Sequence, residues 1–297
     1  MENGFKLVPT ERGDKAPRAE FRLHMHIFRH GKKDGGHDVT PEVDMAMALK
    51  PEGRIQAHEK GVELKTAGGA ISGSSRARTR ETAMHVAHAN NPEVTGEESY
   101  DELVEKLGIT PWVNKAFDMP FSKDDPNFPI INQKSDEGIF FKWAAEEADR
   151  ALKDGDASKT IYGIQARKVA AVVDRFATIA SKMADRAERA KERGEDAETE
   201  REQVMGTHAG VNESFVAEVL RRMHGDEERQ KMLNILPNGV SETQGSDIDI
   251  VATSGEEPRV HILFVGGKDQ KYSFNEDVPL SVIKDIVRDF SPHEEQS

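Results

Sequence analysis

The chain has 297 residues, 36% of them hydrophobic, enough for one large α/β domain or two small ones whose core needs no covalent staple. It contains no cysteine, which excludes disulfides, a catalytic thiol and cysteine-ligated zinc or iron–sulfur centres. With 41 basic against 54 acidic side chains the formal net charge is −13, so binding to nucleic acid or an anionic membrane is not expected, and an anion would need a locally positive pocket.

Residues 1–20, MENGFKLVPTERGDKAPRAE, are rich in charge, Gly and Pro and read as a flexible arm ahead of a domain over 21–292. They lack the apolar stretch of a signal peptide, and no run elsewhere approaches the length of a membrane span, so a soluble, cytoplasmic protein is expected. From Phe21, the residues Phe21, Leu23, Met25 and Ile27 recur at period two, with Arg22, His24, His26 and Phe28 on the other side, which predicts a strand. It ends in FRHG, three of whose residues a core has little use for. LKPEGRIQAHEKGVEL predicts a helix starting near Pro51, GGAISGS a second strand and RARTRETAMHVAHAN a second helix. That order favours a parallel sheet.

Acidic residues thicken through VTGEESYDELVEKLG, and the prolines of PWVNKAFDMPFSKDDPNFPIINQ predict a surface loop. Between 136 and 200 the pattern is helical, with a stripe of Val169, Val172, Val173, Phe176, Ile179 and Met183 that stops there. ADRAERAKERGEDAETERE then reads as a solvated helix end and turn. EQVMGT predicts a strand leading into HAG and the helix VNESFVAEVLRRMHG, closed by Gly225. SDIDIVAT and RVHILFVGG look like paired strands, and PLSVIKDIVRDF like a docking helix.

Two histidines, His30 and His208, stand at predicted strand ends. Ligands of parallel sheets bind where strand carboxyl ends meet loops and helix N-termini, so residues far apart in sequence can converge there. Gly31 and Gly210 allow close backbone approach, and the helix after His208 points free N–H groups at an anion. Arg29 and Arg78 offer the planar, permanently charged donors that suit phosphate. A neutral imidazole whose other nitrogen is held by a hydrogen bond is a fair nucleophile toward phosphorus.

Four segments in this order resemble the histidine phosphatase superfamily, also called phosphoglycerate-mutase-like. FRHG resembles its signature at the end of the first strand, LKPEGRIQA its LTxxGxxQA helix, SSRARTRETA its SPLxRAxxTA segment and GTHAG its second-histidine motif SHGG. The resemblance covers residues 21–90 and 200–265. It implies a three-layer α/β/α fold with a mostly parallel central sheet and a helical insertion, 110–200, over the active site. It implies hydrolysis of phosphate monoesters without metal or other cofactor, acting on a small phosphorylated substrate. His30 would become phosphohistidine, Arg29 and Arg78 with Gly31 would bind the phosphate, and His208 would be a further ligand stabilising the transition state. The family's proton donor is a carboxylate after the third strand, which the LVE segment places at Glu105, with Glu102 and Glu98 as competitors.

Departures keep alternatives open. Ser75 and Arg76 replace the usual proline and leucine, so Arg76, Arg78 and Arg80 compete for the clamp, Arg78 being preferred because it precedes TRETA at the family's spacing. KKDGGHD follows RHG where mutases carry Trp-Asn, which places mutase activity below hydrolysis; Lys32 or Lys33 would add positive charge at the mouth. A catalytically silent phospho-ligand-binding protein and a metal hydrolase using His24 and His26 are the other rivals. Asp247 and Asp249 are expected to face solvent along an edge strand.

Overall fold

The computed structural model describes residues 18–34, 39–121, 124–268 and 271–292, so all but the last three residues of the expected N-terminal arm lie outside the described residues. The strands are β1 (Glu20–Arg29), β2 (Ala70–Gly73), β3 (Trp112–Val113), β4 (Glu200–Thr207), β5 (Gly245–Thr253), β6 (Arg259–Gly266) and β7 (Tyr272–Val278). They form one sheet in the order β3-β2-β4-β1-β5-β6-β7. The β1–β4, β4–β2 and β2–β3 pairs are parallel. The β1–β5, β5–β6 and β6–β7 pairs are antiparallel. The sheet is therefore mixed, not mostly parallel. The short SGEEP link can only return β6 alongside β5 in the opposite direction, whereas β5 follows helices α8 and α9 and still runs antiparallel to β1.

The helices are α1 (Pro41–Ala46), α2 (Pro51–Leu64), α3 (Ala77–Ala87), α4 (Tyr100–Leu107), α5 (Phe128–Asp136), α6 (Phe140–Lys153), α7 (Ile161–Glu192), α8 (Val211–His224), α9 (Asp226–Ile235) and α10 (Leu280–Asp289). Phe21, Leu23, Met25 and Ile27 point to one face of the sheet, where they join Val169 and Val173 of α7, Phe215 and Val219 of α8 and Ile283 of α10. On the other face Phe28, Ile71 and Val204 pack with Ala57 of α2, Met84 and Val86 of α3 and Leu103 of α4. The stripe on α7 does not stop at Met183. Ala184, Ala187 and Ala190 are buried and continue it, small side chains holding the helix close where charges flank them. No helix among the described residues is long and apolar enough to cross a membrane.

β5 lies between β1 and β6 and is not an edge strand, which changes the fate of its aspartates. Register sets His24 opposite Asp249 and His26 opposite Asp247. His26 bonds Asp247 at 2.6 Å and Glu202 at 3.1 Å, and His24 bonds Asp249 at 2.6 Å and Glu200 at 2.8 Å. Both ring nitrogens of each imidazole are thus engaged across three strands, and among the described residues no group of side chains is arranged to hold a metal ion. The HxH pair is a charged brace of the sheet. Burial opposes the charge on His26, but Asp247 and Glu202 outweigh it and raise its pKa from 6.5 to about 9.

Because the folded pKa lies above the unfolded one, the proton bound by His26 stabilises the fold in full below about pH 6.5, and this contribution is lost as pH rises through about 9. Replacing His26 by Ala leaves two mostly buried carboxylates facing each other, an expected loss of about 2 kcal/mol at pH 6. Urea unfolding of the parent and His26→Ala at pH 6 and pH 10 checks this: the gap narrows at pH 10, and a gap that stays constant shows that charge is not its source.

Candidate active site

β1 and β4 are neighbours and parallel, and their register sets Arg29 opposite Thr207. The next residue on each strand is a histidine, so His30 and His208 leave the sheet side by side, with the His30 N–H donating to the Thr207 carbonyl at 2.9 Å. Their rings meet edge to face with centroids 5.4 Å apart. Residues separated by most of the chain converge through a single strand pairing.

The glycines of the flanking segments serve this approach. A Cβ on Gly31 would stand 2.4 Å from the Gly53 carbonyl oxygen, and one on Gly53 would stand 2.2 Å from that of Lys32, so α2 abuts the loop after His30 only if both lack a side chain. Thr82 of α3 accepts the Gly31 N–H at 3.1 Å and donates to the Arg78 carbonyl at 2.8 Å, joining the loop after His30 to the helix that carries Arg78.

His30 Nδ1 donates to the Gly31 carbonyl at 2.7 Å, which leaves Nε2 as the atom with a lone pair. Arg78 Nε lies 3.4 Å from that nitrogen. Burial, then the charges of Arg78 and Arg29, hold the His30 pKa well below the usual histidine value; burial, His30 and the same arginines do so for His208. Both imidazoles are neutral at physiological pH.

The guanidinium groups are placed by α1. Arg78, 5% exposed, reaches the Asp44 carbonyl at 2.8 Å and its carboxylate at 3.1 Å, and Arg76 reaches the same carboxylate at 2.6 Å. Burial works against ionisation of Asp44, but Arg76 and Arg78 outweigh it and keep its pKa below the ordinary range. Arg29 donates to the Val240 carbonyl, and its Nε has no partner among the described residues. Arg29, Arg76 and Arg78 all line one cleft of about 430 Å³ with His30 and His208. Arg80 does not; its guanidinium stacks 5.4 Å from the centre of the Tyr100 ring. Of three competing arginines, two belong to the site.

The carboxylates expected as proton donors lie elsewhere. Glu105 is exposed on α4 and does not line the cleft, because Leu103 anchors that helix in the second core cluster and leaves Glu105 to solvent. Glu102 caps the start of α4 by accepting the Ser99 N–H, and Glu98 is held by Lys106 and the N–H groups of Thr95 and Gly96. The acidic side chains that do line the cleft are Asp44 and Glu242.

Apolar Met119, Phe121, Phe128, Ile131 and Phe140 also line the cleft, together with polar Asn132 and Ser135 and with Lys32 and Lys33. Of the stretch 110–200, the part bordering the cleft therefore runs from Met119 to Phe140, whereas α7 covers β1 and β5. The proline-rich loop is partly helical, since Pro129 stands in the first turn of α5, where its missing N–H costs nothing.

Ser74 and Glu213 escaped sequence reasoning. Ser74 bonds His208 Nε2 at 2.8 Å and orients it; its place at the carboxyl end of β2 is the signal that could have found it. Fully buried Glu213 accepts the N–H groups of Gly210 at 3.0 Å and Val240 at 2.8 Å, tying the loop of His208 to the one that receives Arg29. Ser74→Ala is expected to lower kcat/KM for a phosphate ester by about 5- to 30-fold through the lost contact with His208, and to lower the melting temperature because the buried hydroxyl also bonds Thr79 and accepts the Arg76 N–H. Steady-state kinetics beside a thermal melt measures both.

No protein-family model matches the chain, and no curated protein does. Among solved structures, a mycobacterial glucosyl-3-phosphoglycerate phosphatase with bound VO3 matches at 16% identity over 84% of this chain and 100% of that chain, with a TM-score of 0.42. A Bacillus anthracis phosphoglycerate mutase matches at 13% over 90% and 97%, TM-score 0.42. An Entamoeba histolytica phosphoserine phosphatase mutant in complex with phosphoserine matches at 13% over 77% and 90%, TM-score 0.33. A likeness at this level says nothing of what this chain binds or does.

Proposed function

We propose that this chain hydrolyses small phosphate monoesters of the cytoplasm in two steps through a phosphohistidine on His30, without a metal. The observation that carries the reading is the meeting of two buried, neutral imidazoles with three guanidinium groups in one cleft. Because Nδ1–H is spent on the Gly31 carbonyl, the His30 lone pair is on Nε2, which accepts only the long 3.4 Å contact from Arg78 Nε–H and can exchange it for phosphorus as Arg78 turns to the phosphoryl oxygens. Arg29, Arg76 and Arg78 neutralise the phosphoryl oxygens that would otherwise repel the attack, in a buried setting where fixed charges act strongly. His208, oriented by Ser74, contacts the phosphoryl group as it transfers. The apolar side chains from Met119 to Phe140 suit an ester whose alcohol carries an alkyl or aryl body.

The test is a panel of phosphate esters with chelator present, together with quenching in alkaline denaturant, digestion at alkaline pH to find the phosphorylated residue, and acid treatment of a parallel sample. Turnover with an acid-labile phosphate on His30 supports the proposal. Binding of inorganic phosphate without turnover or phosphoenzyme overturns it in favour of a silent phospho-ligand-binding protein.

A further inference from the structure

The two-step reading needs an acid for the leaving oxygen and a base for water, and none of the helical glutamates near α4 lines the cleft. We infer that Glu242, resting on that reading, is the residue that performs both proton transfers. It lines the same cleft as His30 and His208, and its carboxylate has no ion pair or hydrogen bond among the described residues. Asp44, the other acid there, already answers Arg76 and Arg78 and is held ionised by them, so it has no proton to give.

The loop that presents Glu242 is built around the residue preceding the nucleophile. Arg29 donates from its side chain to the Val240 carbonyl, its backbone N–H donates to the Gln244 carbonyl at 3.0 Å, and its carbonyl accepts the Thr243 N–H at 3.0 Å. Glu213 anchors Val240 from below, and Gln244 braces the far side through the Gly267 carbonyl and N–H at 3.0 and 2.9 Å. Within this frame Thr243 adopts φ +57°, a left-handed conformation that a β-branched residue resists. The strain is absorbed by contacts that register the Glu242 backbone to Arg29, one residue from His30.

In the first step, the His30 Nε2 lone pair forms the N–P bond, the P–O bond to the alcohol breaks, and the proton of the Glu242 carboxylic acid passes to the departing oxygen. In the second, the Glu242 carboxylate takes a proton from water, the water oxygen bonds to phosphorus, and the N–P bond breaks with its electrons returning to His30. Inorganic phosphate, neutral His30 and protonated Glu242 result.

Glu242→Gln keeps the shape of the side chain and removes only the proton transfer. Rapid-mixing kinetics with hexyl phosphate, a poor leaving group, and 2,4-dinitrophenyl phosphate, one that needs no acid, separates the steps. The variant is expected to lose about 10²- to 10³-fold in kcat/KM on hexyl phosphate. On the dinitrophenyl ester it retains a fast burst of dinitrophenolate followed by a slow steady state, and phospho-His30 accumulates because water lacks its base. The burst also shows that the variant is folded. Equal loss of the phosphorylation step on both esters, or no loss on either, overturns the assignment while a parent enzyme that still forms phospho-His30 leaves the two-step reading standing. Absence of phospho-His30 in the parent removes both.

Discussion

His30→Ala is expected to lose at least about 10⁴-fold in kcat/KM toward any phosphate ester the parent turns over, because the atom that forms the covalent bond is gone and water in its place lacks activation. The fold is expected to survive: the His30 side chain bonds its own neighbour's carbonyl and a single arginine, and it lies at the cleft and not within a core cluster. A melting temperature within a few degrees of the parent, beside a lost rate and no labelled phosphoenzyme, is the expected combination. A second consequence is read from pH. Since burial and then Arg78 and Arg29 hold the His30 pKa well below the usual value, acidification protonates the nucleophile only well below pH 6.5. The acid limb of kcat/KM, corrected for ionisation of the substrate, is expected there, and a limb at the ordinary histidine value shows that His30 is not held neutral.

Arg78→Ala is expected to lower kcat/KM by about 10²- to 10³-fold, the scale seen when one fixed charge or donor facing the transition state is removed. Two losses compound. The phosphoryl oxygens lose a guanidinium, and Asp44 keeps only Arg76, so a carboxylate once shared between two cations becomes more negative toward an incoming anion. His30 also loses one of the charges that disfavour its imidazolium, so the acid limb moves upward. Arg78→Lys is not expected to restore the rate, because an ammonium cannot span the Asp44 carbonyl, its carboxylate and the approach to His30 together. Arg80→Ala supplies the contrast, since Arg80 stacks on Tyr100 outside the cleft; activity close to the parent's is expected. A loss in Arg80→Ala as large as in Arg78→Ala would mean that disruption of α3, not phosphate contact, accounts for both.

Whatever depends on local pattern was legible in the order of the residues. Period-two apolar residues made β1 a strand with Phe21, Leu23, Met25 and Ile27 on one face, and the placement of His30 and His208 at strand ends was readable from where that alternation gave way to glycine. Gly31 was expected to allow a close backbone approach, and the structure sets it against Gly53, which the sequence reading did not single out.

What depends on which elements meet was set by long-range packing. Asp44 sits on a short helix that no periodicity announced, yet it gathers Arg76 and Arg78 and thereby admits a second arginine of that segment to the cleft. Glu105 was expected after the third strand but lies on α4, ahead of β3, and the packing of Leu103 turns it to solvent. β5 became an interior strand, which turned Asp247 and Asp249 from solvated groups into partners of His26 and His24. Glu242 reached the cleft through a loop folded around Arg29, 213 positions earlier. Spacing along a chain records the preferences of neighbours, whereas long-range pairings arise from buried area and satisfied hydrogen bonds between segments whose separation in sequence says nothing of their separation in space.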